Sequence, residues 1–146
     1  MILTEVQKTN AIFEELARMN DAIFTADERA SREKLKTHFL QDDIFILKSG
    51  VESKIAAFAF VTERGGPYLM IMAVDPAYQK CGNGRMLLDQ ITGYYSDRQR
   101  MEITLTCKVD NVAAQVLYLK SGFRPVRVIP KYYGATDGLL MRRKLV

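Results

Sequence analysis

The chain has 146 residues, a length that fits one domain around one core. Apolar residues make up 48% and charged residues 26%, the balance of a soluble globular domain, and no apolar run is long enough to span a bilayer. The net charge of +4 is spread widely. Its denser groups, Lys120-Arg124-Arg127-Lys131 and Arg142-Arg143-Lys144, are as short as ordinary solvated surface, with no nucleic-acid recognition motif beside them.

In chain order, Met1 to Val6 shows no basic region followed by an apolar stretch and a cleavage site, so a cytoplasmic location is expected. Ile2 to Val6 reads as a short edge strand. Ile12, Phe13, Leu16 and Met19 recur at helical spacing and predict a helix over about Asn10 to Asn20. Ser31 to Leu40 reads as a second helix, with Leu35 and Phe39 four apart and charges opposite. Ile44 to Leu47 and Ile55 to Thr62 are strands, separated by a turn that begins at Lys48-Ser49-Gly50. Gly65-Gly66-Pro67 breaks the second. Tyr68 to Val74 is apolar at alternate positions of both kinds, as a central strand covered on both faces would be.

Asp75-Pro76 ends that strand, because Pro76 has no N–H for the ladder. Leu87, Leu88, Ile91 and Tyr95 mark a third helix, and Glu102 to Val109 alternates as a strand. Asp110 or Asn111 caps a fourth helix bearing Ala114, Leu117 and Tyr118, and Gly122 ends it. Phe123 to Ile129 and Leu139 to Lys144 are the last strands. The expected architecture over residues 1–146 is a single α/β domain: a mixed, mostly antiparallel sheet of six to seven strands with helices on both faces.

The segment Gln79-Lys80-Cys81-Gly82-Asn83-Gly84-Arg85 joins a strand to a helix. Gly82 and Gly84 remove Cβ atoms, the first N–H groups of a helix have no intrahelical partner, and Lys80 and Arg85 add positive charge. A diphosphate suits such a loop, although Gly-x-Gly before a helix is also the composition of a plain tight turn. Gly84 is followed by Arg85-Met86, not by the Lys-Ser/Thr of a Walker loop. The third glycine of a dinucleotide fingerprint is missing as well.

Gln79-x-x-Gly82-x-Gly84, entered from a strand ending Val74-x-Pro76, resembles the acetyl-CoA pyrophosphate loop of the GNAT superfamily of N-acetyltransferases. Asn111-x-x-Ala114-x-x-Leu117-Tyr118-x-x-x-Gly122-Phe123 is similar to the family's later helix-and-turn signature. Tyr132-Tyr133, with Asp137 and Met141, resembles the bacterial branch that acetylates the N-terminal alanine of a ribosomal protein. The resemblance implies the GNAT fold and acetyl-CoA as acetyl donor, with no metal. It implies that the pantetheine arm pairs with the backbone of Met72, Ala73 and Val74. The pyrophosphate would rest on N–H groups of Lys80, Cys81, Gly82, Asn83, Gly84 and Arg85. Asn111 would help hold the cofactor arm besides capping its helix. Tyr118 would lie beside the thioester sulfur, where a phenol of ordinary pKa about 10 can donate to the departing thiolate.

The branch's glutamate, five residues before the asparagine, falls on Thr106, which takes no proton at neutral pH. Glu63, Glu102, His38 and Asp137 are the other candidate bases; none matches a family base position, and His38 reads as a solvent-exposed helix residue. At pH 7.5 a lysine side chain is roughly 0.1% neutral and an α-amine roughly 25% neutral, so an enzyme lacking a carboxylate base suits a low-pKa amine. Of the two cysteines, Cys81 sits where a thiol pKa can fall but beside phosphates instead of the acetyl group, and Cys107 reads as a buried strand residue. Neither belongs to a disulfide or zinc pattern.

Three functions remain open at this level. The first is an N-acetyltransferase for a peptide or protein N-terminus. The second is one for a small amine (polyamine, amino acid or antibiotic), whose acidic lining Glu14, Glu15, Asp27 and Glu28 would supply. The third is a non-catalytic acyl-CoA-binding module. Monomer and homodimer both remain open.

Overall fold

The computed structural model describes residues 1–25, 29–50, 53–63 and 65–146. Two helices come first, α1 (Asn10–Ile23) and α2 (Arg32–Gln41). Each begins where a hydroxyl satisfies an orphan amide: Thr9 Oγ1 accepts from the Ile12 N–H at 3.3 Å, and Ser31 Oγ from the Lys34 N–H at 3.2 Å. Strands β1 (Asp43–Lys48), β2 (Ile55–Glu63) and β3 (Pro67–Val74) follow. Then come α3 (Asn83–Asp97), β4 (Glu102–Lys108), α4 (Val112–Lys120), β5 (Arg124–Ile129) and β6 (Gly138–Lys144).

The strands form one six-stranded sheet in the order β1-β2-β3-β4-β6-β5. Every neighbouring pair is antiparallel except β3 with β4. The expected edge strand at Ile2 to Val6 shrinks to a single bridge between Ile2 and Phe45, because the chain turns at once into a 3₁₀ turn over Glu5–Gln7. Six strands, not seven, is therefore the count among the described residues.

Alternation along β2 builds the core on both faces of the sheet. Phe58 and Phe60 join Phe13, Leu16, Leu35 and Phe39 under α1 and α2, with the Phe13 and Phe39 rings 5.4 Å apart. Ala57, Ala59 and Val61 face the other way, and their small size lets Leu87, Leu88, Ile91 and Tyr95 of α3 pack close. Each fully buried Phe or Leu contributes about 1.5–3 kcal/mol, so both faces are strongly held.

The parallel pair departs from that regularity. β3 and β4 are in register only at Tyr68 opposite Thr104 and Leu69 opposite Leu105. On their outer sides, by contrast, β2–β3 runs from Glu63–Pro67 to Ala57–Val74, and β4–β6 from Glu102–Lys144 to Lys108–Gly138. Beyond Leu69 and Leu105 the two strands therefore part, and a gap opens in the middle of the sheet. This corrects the expectation that β3 is covered on both faces: Met70, Ile71, Met72 and Val74 are only half-buried, because they border the gap. No described helix is long and apolar enough to cross a membrane.

Candidate active site

A cavity of about 640 Å³ occupies the gap, within the usual range for small-molecule sites. It has a part on each face of the sheet. On the α3–α4 side it is lined by Met72 and Val74, by Gly82, Gly84 and Arg85, and by Asn111, Leu117 and Tyr118. On the α1–α2 side it is lined by Asn20, Ile23, Phe24 and Ala30, with Ile71 and Ala73 of β3.

The loop between β3 and α3 is braced by its own side chains. Asp75 Oδ1 accepts from the Ala77 N–H (2.8 Å), the Gln79 side chain donates to the Val74 carbonyl (2.9 Å), and Asn83 Nδ2 donates to the Tyr78 carbonyl (2.8 Å). Lys80 and Gly82 have positive φ, +61° and +82°, so the backbone here turns through the left-handed region twice. The first intrahelical bond of α3 runs from the Met86 N–H to the Gly82 carbonyl. The amides of Asn83, Gly84 and Arg85 precede it and carry the positive end of the helix. Gly84 is required by packing: a Cβ there would lie 3.1 Å from Leu117 and 3.4 Å from Met72. Gly82 is required by its φ, since a Cβ there meets nothing within 4 Å.

Lys80, Arg85, Lys108 and Lys120 line the cavity, and no carboxylate does so among the described residues. A diphosphate fits that charge. Of the sequence-expected cofactor residues, Met72, Ala73, Val74, Lys80, Gly82, Gly84, Arg85 and Asn111 line the cavity. Cys81 and Asn83 do not: the Cys81 thiol turns back to the Gln79 carbonyl (3.3 Å), and Asn83 spends its side chain on the loop. Asn111 caps α4 by accepting from the Ala114 N–H (3.1 Å) while bordering the cavity.

Tyr118 lines the cavity and stacks edge-on against Phe123, with centroids 5.9 Å apart. Burial, and then the neighbouring Cys107 thiol, hold its phenol well above the ordinary value. Tyr118 thus keeps its proton through the whole neutral and mildly alkaline range. Cys107, which also lines the cavity, is pushed up to about 11 by burial and is a thiol at neutral pH.

Thr106 lies on β4 in a cluster of phenols that the sequence analysis singled out only in part. The Tyr68 hydroxyl donates to Thr106 Oγ1 at 2.6 Å and lies 3.2 Å from the Tyr132 hydroxyl. The Tyr133 hydroxyl donates to the Thr106 carbonyl at 3.0 Å. Gly138 makes room for this cluster: a Cβ there would come within 2.8 Å of Thr106 and 2.9 Å of Tyr132.

The other candidate bases lie elsewhere. Glu63 pairs with Arg100 (3.1 Å) and Glu102 with Arg142 (3.2 Å), while Asp137 accepts from the Lys131 N–H (2.9 Å). His38 is buried, not solvent-exposed as expected of it from the sequence. Its Nδ1 is 2.9 Å from Asp42 Oδ2, which also accepts from Thr62 Oγ1 at 2.7 Å. None of these four residues borders the cavity. Of the acidic residues proposed for an amine pocket, Glu14 is paired with Arg32, whose hydrogen bond holds the carboxyl below its usual range. Glu15 does not border the cavity. Asp27 and Glu28 lie outside the described residues.

A strand-loop-helix anion cradle thus borders a cleft where the sheet parts at its parallel pair. The chain belongs to the acetyltransferase (GNAT) domain family, whose pattern it matches over residues 40–125. It is 36% identical over 86 residues to the ribosomal protein bS18-alanine N-acetyltransferase of Escherichia coli strain K12, covering 58% of this chain and 58% of that protein. The match therefore spans under two thirds of that relative's length. Among solved structures, the ribosomal-protein-S18-alanine N-acetyltransferase from Escherichia coli superposes with a TM-score of 0.82 at 23% identity, covering 94% of this chain and 90% of that one. A NatC complex bound to Gag peptide and CoA gives a TM-score of 0.80 at 20% identity, covering 100% and 97%. These two structural likenesses establish the fold.

Proposed function

We propose that this chain is an acetyl-CoA-dependent N-acetyltransferase of the cytoplasm that acts on a low-pKa primary amine, the α-amine of a peptide or protein. The observation that carries the reading is the cavity crossing the sheet at the β3–β4 gap, with a cationic backbone cradle on one face and an apolar recess on the other. The curated relative named for ribosomal protein alanine acetylation supports an α-amine as acceptor.

Acetyl-CoA would supply an activated acetyl thioester. The amides of Gly82, Gly84 and Arg85, with the Lys80, Arg85 and Lys120 charges, would hold its diphosphate. Met72, Ala73 and Val74 would lie along its arm. Tyr118, protonated at neutral pH as any phenol is and held further above its ordinary value by desolvation, is the donor available to a departing thiolate. Thr106 accepts a hydrogen bond from Tyr68 and orients groups at the gap without taking up a proton. The acceptor amine would therefore have to arrive neutral. Its nitrogen would attack the acetyl carbon as the C–S bond breaks, the thiolate would take the Tyr118 proton, and the surplus proton of the nitrogen would pass through solvent to restore Tyr118. An α-amine of pKa about 8 meets that demand far better than a lysine of about 10.4.

Thiol release, measured across a panel of small amines and short peptides of free N-terminus, tests the reading. Acetylation of peptide α-amines well above lysine side chains and polyamines is expected. Release with polyamines alone would replace the acceptor class. CoA binding without transfer to any amine would make the chain a non-catalytic acyl-CoA module. In the same preparation acetyl-CoA at about 100 times its dissociation constant should stabilise the fold by about 2.7 kcal/mol.

A further inference from the structure

We infer that the uncovered half of the sheet, β4, β6 and β5 on the α1–α2 side, is a docking face for the acceptor chain beyond its amine, where Arg127 selects a carboxylate at the acceptor's third or fourth residue. The inference rests on the peptide-acceptor reading above and names the class of peptide that reading leaves broad.

Side chains alternate along a strand, so the register assigns each residue a face. Ile103, Leu105 and Cys107 of β4, with Leu139 and Met141 of β6, belong to the core around α3. Thr104 and Thr106, and Leu140 and Arg142, therefore face the α1–α2 side. Leu140 pairs with Thr106 on one edge and with Arg127 of β5 on the other, which puts Arg127 on the same side. There α1 and α2 pack over Phe58 and Phe60 of β2 and Ala73 of β3, and among the described residues none of β4, β5 or β6 joins their core. An acceptor leaving the gap at Thr106, which borders the cavity, meets α1 and α2 in one direction and open sheet in the other.

Charge says what that open sheet takes. The three strands carry six cations against one carboxylate, Glu102, which Arg142 already holds at 3.2 Å. Arg124 is spent on the Leu119 and Phe123 carbonyls, and Arg143 on the Ser121 carbonyl. Arg127 is exposed and has no hydrogen-bond or ion-pair partner for its side chain among the described residues. A second copy of the chain would bring the same cations to the contact and be repelled, whereas an acidic segment is attracted. Distance sets the position of the acid. Thr106, Leu140 and Arg127 stand opposite one another on adjacent strands. Two strand spacings are about 10 Å, the span of about three extended residues. An amine at Thr106 thus brings the third or fourth residue of its chain to Arg127.

The test uses the whole chain, acetyl-CoA and three short peptides. They share their first two residues and carry Glu, Gln or Lys at the third and fourth. Rates are taken at about pH 9, above the amine pKa of about 8, so that the added charges do not act through amine protonation. The Glu peptide should exceed the Lys peptide about fivefold in kcat/KM, through KM, and the difference should close at about 0.5 M salt, as for an exposed ion pair. Arg127→Glu should reverse the order. Arg98→Glu, at the end of α3 on the other side of the sheet, changes the net charge equally and should leave the order intact. Equal rates for the three peptides in the wild-type enzyme overturn the inference, and so does an order that Arg127→Glu leaves unchanged. An order that Arg98→Glu also reverses would trace to net charge and overturn it too. A dimer that Arg127→Glu dissociates, or RNA binding that it abolishes, with no order among the peptides, gives the face to another occupant. If small amines are acetylated and no peptide is, the acceptor reading falls first, and the inference with it.

Discussion

The two halves of the cleft are made of different material. On the α3–α4 face the anion cradle is backbone, a loop with two left-handed turns and the first amides of a helix, with Leu117 and Tyr118 beside it. On the α1–α2 face the wall is side chains, apolar but for one buried amide. A backbone wall can recognise only what is common to many molecules, such as a diphosphate. A side-chain wall is changed residue by residue and suits the partner that differs between enzymes. The contrast implies that substitutions in the backbone cradle of the first face weaken cofactor binding and those on the second redirect or weaken acceptor use.

The largest effect is expected at Gly82. A Gly82→Val variant must place a β-branched residue at φ +82°, at a strain of about 1–3 kcal/mol, and project carbon into the anion cradle. We expect acetyl-CoA affinity to fall by at least about 10²-fold, with loss of the thermal stabilisation by ligand. Unchanged affinity by calorimetry would move the diphosphate elsewhere. Next comes Tyr118→Phe, which keeps the contact with Phe123 and removes the donor. Turnover should fall by about 10²-fold with acetyl-CoA affinity held within about twofold; wild-type turnover would leave Tyr118 a packing residue. The smallest catalytic effect belongs to His38. His38→Ala breaks the buried contact with Asp42 and should cost about 1–3 kcal/mol of stability in a urea melt. The rate per folded molecule should stay within about twofold, and a larger loss would bring His38 into the chemistry.

The same contrast explains what could be read from residues alone. Backbone requirements leave local signals. Gly82 and Gly84 are written at the loop, Asn111 at the start of α4, and Gly122, at φ +93°, at its end. The gap between β3 and β4 leaves none, because Tyr68 to Val74 has the apolar run of a strand covered on both sides. Only the two-residue ladder with β4 shows that its end is open to a ligand. His38 looked exposed because one of its two partners, Thr62, is far along the chain. Asn20, a polar residue that lines the cavity, was findable: it follows Leu16 by four on the buried stripe of α1. Thr106 was read as the loss of a base, but its phenol partners Tyr68 and Tyr133 meet it only in the folded sheet.

On the proposed mechanism, amine protonation and not an enzyme carboxylate limits the reaction. A pH–rate profile with two peptide acceptors differing only in amine pKa tests it most directly. The raised pKa of Tyr118 keeps the proton donor intact as pH rises, so no alkaline loss is expected below about pH 10. Log kcat/KM should climb about one unit per pH unit and level at each acceptor's own pKa, near 8 for an ordinary α-amine. One shared inflection at about pH 6 to 7, the same for both acceptors, would contradict it and reveal a base on the enzyme.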